Sequence, residues 1–391
     1  ASRMINSTTH APINVVGLTQ KLVQAPGGSG DEKAAADTAL AAMEVLGFDE
    51  VTRDSHGSVI GRVGPADAQV ALLFDGHLDV VPAIGDWSVD PYGGTIKDGR
   101  LFGRGSTDMK GAVAAAICGV AAAAKERSLT KQVIVSASVM EEILEGVALG
   151  HILDTYAPEA VVICEPSNLE LRIGQRGRLE IVLTFHGKPA HASSPQLGEN
   201  PIEFAARALR HLDDIVYLDD PMLGKGVLVP VSIVSDPLPS PSMIPILTTI
   251  NFDRRTVPGE TRETVFEQIN TQLTKNNIAN FSLECYAEPA TTYTGLALSP
   301  DRDFPSWVLP IAHPAAQAGL RAIAASGLPK NYGAWACCTN GSESAGRRGI
   351  PTIGIGPGDL QDAHIIDESI EVSQLTKAVE VYKNLVLDLA G

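Results

Sequence analysis

Short apolar runs alternate with amphipathic stretches over the first part of the chain. Apolar runs bounded by polar loops predict buried strands, and they cover residues 70–74, 133–139 and 160–164. Stretches of helical periodicity predict helices over 13–23, 31–46, 111–125 and 147–156. Strands that alternate with helices are typical of a parallel sheet that helices cover on both faces.

The pattern changes near Arg178. Strands are predicted over 179–185, 228–234, 247–254 and 281–288, with helices over 201–213 and 260–275. Beyond residue 292 a helix (313–326), a strand (351–355) and a closing helix (373–390) resume the first pattern. The predicted fold class is therefore α/β. A discontinuous domain with a mixed, mainly parallel sheet (1–177 and 292–391) is interrupted by a small α+β domain (178–291).

Length and charge narrow the function classes. The 391 residues fit about two domains of roughly 150 residues each. A formal net charge of -16 argues against binding to nucleic acid or to an anionic membrane, because both require a basic surface. No apolar run reaches the ~18 residues of a membrane span, and the longest, 112–124, fits a buried alanine-rich helix.

Localisation is predicted from what the sequence lacks. A basic region followed by an apolar one is not visible near the first residues, so a signal peptide is not expected. Five scattered cysteines form no CxxC pair, which argues against a disulfide scaffold or a thiolate zinc site. The default expectation is a reducing cytoplasm.

Histidines and acids follow the predicted strands. His77 and Asp79 come after the first strand, Glu141 and Glu142 after the second, and Glu165 after the third. Asp108, between the first and second of these strands, opens a helix, and His364, near the end of the chain, follows a glycine-rich turn. Sites in open α/β sheets form at the carboxyl ends of strands, so these groups are expected to converge. Crowded carboxylates repel each other unless a cation intervenes, and mixed His and carboxylate ligands suit Zn²⁺, Co²⁺ or Mn²⁺ better than Ca²⁺.

Four motifs together resemble one enzyme family. They are GHLDVVP at 76–82, GRGSTDMKG at 103–111, the Glu pair at 141–142, and GxPAHAS at 187–193. In combination they resemble the M20 metallopeptidases and amidohydrolases, the group of aminoacylase, carboxypeptidase G2 and succinyl-diaminopimelate desuccinylase. The resemblance spans nearly the whole chain and points to a less characterised hydrolase branch.

The resemblance implies a site with two divalent metal ions. It places His77 and Glu165 on one ion, and Glu142 and His364 on the other. Asp108 is expected to bridge the two ions, through a cis peptide to Met109. Glu141 is expected to be the general base, and Asp79 is expected to orient His77.

The resemblance also makes 178–291 a lid and dimerisation domain. In dimeric relatives the histidine of the GxPAHAS motif, here His191, reaches the partner subunit's site and stabilises the oxyanion. Arg255, in the Asp-x-Arg element, is expected near the substrate, although it could simply pair with Asp253. Asn340 and Gly341, in the loop before the last strand, are also expected to bind substrate. The chain is accordingly expected to form a homodimer through the lid.

Two departures from the family pattern concern the substrate. Ser242 stands where many relatives carry an Asn that grips the substrate carboxylate. The loop 338–342 replaces a Gly-rich Thr-Asp segment. Both changes argue against a conventional free amino-acid carboxylate at that end of the substrate.

The expected function is hydrolysis of the amide C–N bond of a small substrate, such as a dipeptide or an N-acyl amino acid. The alternatives are a hydrolytic deaminase, or a carbamoyl or aromatic C–N hydrolase, on the same site, and a non-catalytic metal-binding protein. The other histidines are expected to be capping or surface residues: His10, His56, His151, His186, His211 and His313.

Overall fold

The structure, a computed structural model, describes residues 13–239 and 241–391, so His10 and the start of the first predicted domain lie outside it. The helices of the described residues are α1 (Val15–Val23), α2 (Lys33–Leu46), α3 (Gly111–Glu126), α4 (Val147–Thr155), α5 (Pro201–Leu212), α6 (Arg262–Lys275), α7 (Pro314–Ala325) and α8 (Val372–Leu389). The strands are β1 (Glu50–Arg53), β2 (Val59–Val63), β3 (Val70–His77), β4 (Ile96–Lys97), β5 (Arg100–Phe102), β6 (Gln132–Ser138), β7 (Ala160–Ile163), β8 (Leu171–Gln175), β9 (Gly177–His186), β10 (Asp219–Asp220), β11 (Gly224–Lys225), β12 (Val227–Asp236), β13 (Leu247–Thr256), β14 (Phe281–Cys285), β15 (Ala290–Thr291), β16 (Ala297–Leu298), β17 (Asp303–Phe304), β18 (Trp307–Val308), β19 (Tyr332–Trp335), β20 (Thr352–Gly354) and β21 (Ser369–Glu371).

The larger sheet is mixed, as predicted. Its strand order is β1-β2-β6-β3-β7-β20-β8-β18, with β19 beside β8. The central strands β6, β3, β7 and β20 run parallel, whereas β1, β2 and β18 pair antiparallel. The mainly parallel character expected from the sequence therefore belongs to the centre of the sheet.

Two separate apolar layers cover this sheet. On one face, Leu72 and Phe74 pack with the helices α1, α2, α3, α7 and α8. On the other face, Leu73 packs with Leu149 and Ile152 of α4. Successive strand residues point to opposite faces, so the continuous apolar run of β3 serves both layers.

Helix α3 is the alanine-rich segment, and the structure confirms that it is a core helix. The helical segment Ser106–Glu126 is long and apolar enough to cross a membrane, but 89% of its most apolar window is buried inside the fold. A Cβ at Gly119 would lie 2.9 Å from the Cβ of Tyr382, so the small residues allow α8 to pack closely.

A second, antiparallel sheet interrupts the first in sequence. Its order is β12-β13-β9-β14, with β17 beside β9. Strand β9 alternates strictly, burying Leu179, Ile181, Leu183 and Phe185 beneath helices α5 and α6. After β17 the chain re-enters the larger sheet at β18.

Several strands are not evident in the sequence pattern. Strand β1 is half exposed, with no buried residue, and β8 carries a glycine and polar residues. Neither gives a clear apolar run or alternation, so their place at the sheet is set by tertiary pairing rather than by local pattern.

Candidate metal centre and active site

Asp108 lies between two histidines. Its Oδ1 is 3.1 Å from Nε2 of His77, and its Oδ2 is 3.0 Å from Nε2 of His364. The peptide bond from Asp108 to Met109 is cis, as expected from the family resemblance. Glu368 fixes this turn, because its carboxylate accepts hydrogen bonds from the amides of Thr107 and Asp108. One carboxylate thus presents an oxygen to each side of the centre.

His77 ends strand β3 and is buried. Besides Asp108, its Nε2 lies 3.5 Å from Oε2 of Glu141 and 3.4 Å from Oε1 of Glu165. Its Nδ1 lies 2.9 Å from the carbonyl oxygen of Asp79. The backbone of Asp79 therefore orients the ring while three carboxylates face the other nitrogen.

The opposite side of the centre is more open. His364, half of whose side chain is exposed, lies with Nε2 3.1 Å from Oε1 of Glu142. His364 has a positive φ of 60°, in the turn that follows the last strand of the sheet. Glu142 and Asp108 thus hold the same imidazole nitrogen between them.

Asp79 organises the loop that carries both glutamates. Its Oδ1 accepts the amide of Glu141 at 3.1 Å, and its Oδ2 accepts the amide of Glu142 at 2.9 Å. The Ser29 hydroxyl donates a further hydrogen bond to Oδ2 at 2.7 Å. The aspartate predicted to orient His77 therefore also positions Glu141 and Glu142.

Charge at the centre is unbalanced toward the anions. Burial, together with the charge of Asp108, raises the pKa of Glu165 to about 7. Burial, reinforced by Glu165 and Glu142, raises the pKa of Glu141 well above its usual range. The pKa of Asp108 is lowered despite its burial, because His364 and His77 both donate to it. Several buried carboxylates repel each other when all are ionised, and divalent cations bound between them remove this repulsion. These residues therefore fit metal ions.

At this centre, two overlapping groups of three side chains each have potential ligand atoms within 4.8 Å of one another. One contains His77, Glu141 and Glu165, and the other His77, Asp108 and Glu142. The structure therefore brings together all five residues that the sequence predicts as ligands, and it places the general-base candidate Glu141 beside them.

A cavity of about 330 Å³ opens onto the centre. Its wall on the lid side contains Arg178 and Arg255, which face each other across strands β9 and β13. Arg255 is held by Asp253 at 2.7 Å, so the pairing that the sequence left open does form. A larger groove of about 660 Å³ lies on the lid around His186 and has none of these groups.

Glu145 is a cavity residue that the sequence analysis missed. It is buried, and its Oε1 accepts a hydrogen bond from Arg178 at 2.5 Å. Its position four residues after Glu141 was an available signal, because a turn of helix-like backbone returns position i+4 to the same side. Cys337 and Cys338 line the same cavity.

Of the four residues predicted to stabilise the oxyanion or bind substrate, Arg255 lines the cavity and the other three do not. His191 is exposed, and its Nδ1 accepts a hydrogen bond from the amide of Ser193 at 3.1 Å. Asn340 is buried, donating to Asp75 and accepting from the amide of Gly146. Gly341 is buried against Trp307. Asn340 and Gly341 thus contact other parts of the protein rather than the cavity.

Comparison with known proteins identifies related chains. Residues 73–388 match the model of peptidase family M20/M25/M40. The uncharacterized protein YgeY of Escherichia coli K12 is 32% identical over 375 residues, which cover 94% of this chain and 92% of YgeY. A succinyl-diaminopimelate desuccinylase of Cereibacter sphaeroides is 34% identical over 216 residues, 51% of this chain and 57% of the desuccinylase.

A solved structure shares the fold. The Bacillus subtilis YXEP protein, a dinuclear metal-binding peptidase of the M20 family, superimposes with a TM-score of 0.70 at 13% identity. The superposition covers 96% of this chain and 98% of YXEP.

Proposed function

Since the chain belongs to peptidase family M20/M25/M40 and is a metal-binding hydrolase of peptides or amides, we propose that it cleaves the amide C–N bond of a small substrate. A dipeptide or an N-acyl amino acid is the substrate class that we favour, and the desuccinylase relative supports the N-acyl form. The observation that carries the proposal is Asp108, which offers one oxygen to each of two histidines.

The proposed ligands divide around Asp108. His77 and Glu165 would hold one divalent ion, Zn²⁺, Co²⁺ or Mn²⁺, and Glu142 and His364 would hold the other. Ions bound there would polarise the substrate carbonyl and make water more acidic. The short contacts of both imidazoles with carboxylates support this division.

Glu141 is the proposed general base. Its carboxylate is buried beside His77, with its amide fixed by Asp79. Its pKa is raised above the usual value for a glutamate, so the carboxylate binds a proton more readily. This suits a group that takes a proton from the attacking water and returns it to the leaving amine. The amide bond breaks, the carbonyl carbon gains the water oxygen, and the amine leaves protonated.

The lid side of the cavity is proposed to bind the substrate's polar end. Arg255 is the candidate that the family resemblance names, and Arg178 and Glu145 add a second cation and an acid to the same cavity. Asn340 and Gly341, proposed as substrate residues from the sequence, are better assigned to positioning, because Asn340 holds the backbone that follows Glu145. Because Ser242 replaces the Asn that many relatives use to grip a carboxylate, we propose that this end of the substrate carries a group other than a free amino-acid carboxylate.

We also propose a homodimer through residues 178–291, with residues 1–177 and 292–391 forming the catalytic domain. Strand β12 forms one edge of the lid sheet and exposes a row of aliphatic side chains, including Val229 and Val231, which are 47% and 63% exposed. A second copy would cover this row. His191, exposed and outside its own chain's cavity, would then be available to the partner's site as an oxyanion donor.

Light scattering tests the dimer. Val231→Lys is expected to convert dimer to monomer and to lower kcat, whereas Ile96→Lys, on exposed strand β4, is expected to change neither. A wild-type protein that is monomeric at micromolar concentration would contradict this part of the proposal.

A hydrolysis screen tests the function. N-acyl amino acids, dipeptides and carbamoyl compounds are offered with Zn²⁺, Co²⁺ or Mn²⁺, and the products are identified as amine, ammonia or CO₂. Amine release from the first two classes is expected. Release of ammonia or CO₂ alone would replace the proposal with a deaminase or a carbamoyl hydrolase.

A cytoplasmic location, favoured by five free thiols, belongs to the same proposal.

A further inference from the structure

A second group of potential metal ligands lies outside the catalytic centre. Asp54 and His56 belong to the turn between β1 and β2, and His151 lies on helix α4. One potential ligand atom of each lies within 4.8 Å of the other two. None of the three is part of the cavity described above.

Two of these side chains have buried atoms without a partner. His56 is 9% exposed, and its Nδ1 has no hydrogen-bond partner among the described residues. The same holds for Oδ2 of Asp54, while Oδ1 accepts three backbone amides, from His56, Gly57 and Ser58. A buried polar atom left unpaired costs about 1–3 kcal/mol, so two such atoms on neighbouring side chains call for a partner that the protein itself does not supply.

The chemistry of the group suits a cation. Burial, and secondly the charge of His151, lowers the pKa of His56, and a neutral imidazole has a lone pair on one of its two ring nitrogens. The two imidazole rings lie 4.4 Å apart between centroids, tilted by 32°, and Ser55 Oγ lies 3.2 Å from Nε2 of His151. Contact between the two rings alone would leave Nδ1 of His56 and Oδ2 of Asp54 unpaired.

We propose that Asp54, His56 and His151 bind one divalent cation of the zinc class, separate from the catalytic ions. Two imidazoles and one carboxylate are a ligand set that Zn²⁺ accepts, with water in a fourth position. Asp54 and His151 are both partly exposed to solvent, which gives an ion a path to the site.

The position of this site connects it to the chain segment that returns from the lid. The Tyr293 hydroxyl donates to the carbonyl of Gly57 at 2.6 Å, and the Thr294 hydroxyl donates to that of Ser55 at 2.7 Å. An ion on Asp54 and His56 would therefore stiffen the turn to which that segment is attached.

The test counts bound zinc. Purified protein is dialysed against buffered Zn²⁺, and zinc per chain is measured by inductively coupled plasma mass spectrometry. Asp54→Asn keeps the oxygen that accepts the backbone amides but removes the charged ligand, and His151→Phe keeps a ring against His56. Each is expected to bind one zinc fewer than wild type, while His186→Ala, at an exposed histidine of the lid, binds the wild-type number.

Equal zinc counts in wild type and both folded variants would overturn the proposal. Hydrogen exchange of the wild type provides a second readout if a variant fails to fold. Zinc added beyond the two catalytic equivalents is expected to slow amide exchange in residues 54–58. Unchanged exchange there would overturn the proposal as well.

Discussion

Glu32 is fully buried behind the loop that carries the proposed general base Glu141, and its ionisation gives a quantitative test of the structure. Its Oε1 accepts the amide of Met140 at 3.0 Å, while Oε2 has no partner among the described residues. Burial, and secondly the charge of Asp79, raises its pKa from the usual 4.5 to about 7. Glu32→Gln keeps an acceptor for Met140 and removes the titrating group.

The size of the effect follows from linkage. The folded protein holds the Glu32 proton more tightly than the unfolded chain, so stability falls as pH rises from about 4.5 through 7. A shift of about 2.5 pKa units corresponds to roughly 3 kcal/mol at pH 8 and to less than about 1 kcal/mol at pH 5. Glu32→Gln should therefore gain about 2–3 kcal/mol relative to wild type between these two pH values.

Urea unfolding at pH 5, 6, 7 and 8 with constant metal excess measures this difference. Glu44→Gln serves as the control, because Glu44 is exposed on helix α2, which begins directly after Glu32. This variant should show no such dependence on pH. A free-energy difference between Glu32→Gln and wild type that stays constant across these pH values would refute the reasoning.

Three further perturbations test the metal centre and its supports. Chelation by EDTA is expected to lower the Tm in calorimetry, because the clustered carboxylates are left facing each other, and an unchanged Tm would contradict a metal-filled centre. Gly341→Ala should lose about 1–3 kcal/mol in urea unfolding, because its Cβ would lie 2.8 Å from Nε1 of Trp307; an unaffected midpoint would argue against this packing. Tyr382→Phe removes a buried hydroxyl that donates to the carbonyl of Ile355 at 2.6 Å, and a loss of about 1–3 kcal/mol is expected from the same assay; wild-type stability would exclude a structural role for that bond.

The ligand positions were predictable because strands dictate them. Strand β3 ends at His77. Glu141 and Glu142 follow strand β6, and Glu165 follows strand β7. Parallel strands end at one edge, so side chains distant in sequence meet there. The expected convergence and the fold class followed from this alternation of strands and helices, whereas the division of the ligands and the role of Glu141 came from the family resemblance.

Other parts of the site depend on tertiary contacts that no local pattern encodes. Glu145 enters the cavity because Arg178, from the lid, pairs with it. Asn340 is drawn away from the cavity because Asp75 and the Gly146 amide use its side-chain amide. Polar residues such as these choose partners across the fold, and their sequence neighbours do not reveal which.

The central claim is that Glu141 moves the proton at a centre whose metals are held by other residues. Glu141→Gln, assayed for turnover and for metal content on the same preparation, tests it most directly. We expect kcat to fall by at least ~100-fold with metal content unchanged, whereas Glu142→Gln should lose metal. Glu141→Gln with near wild-type kcat would contradict the account.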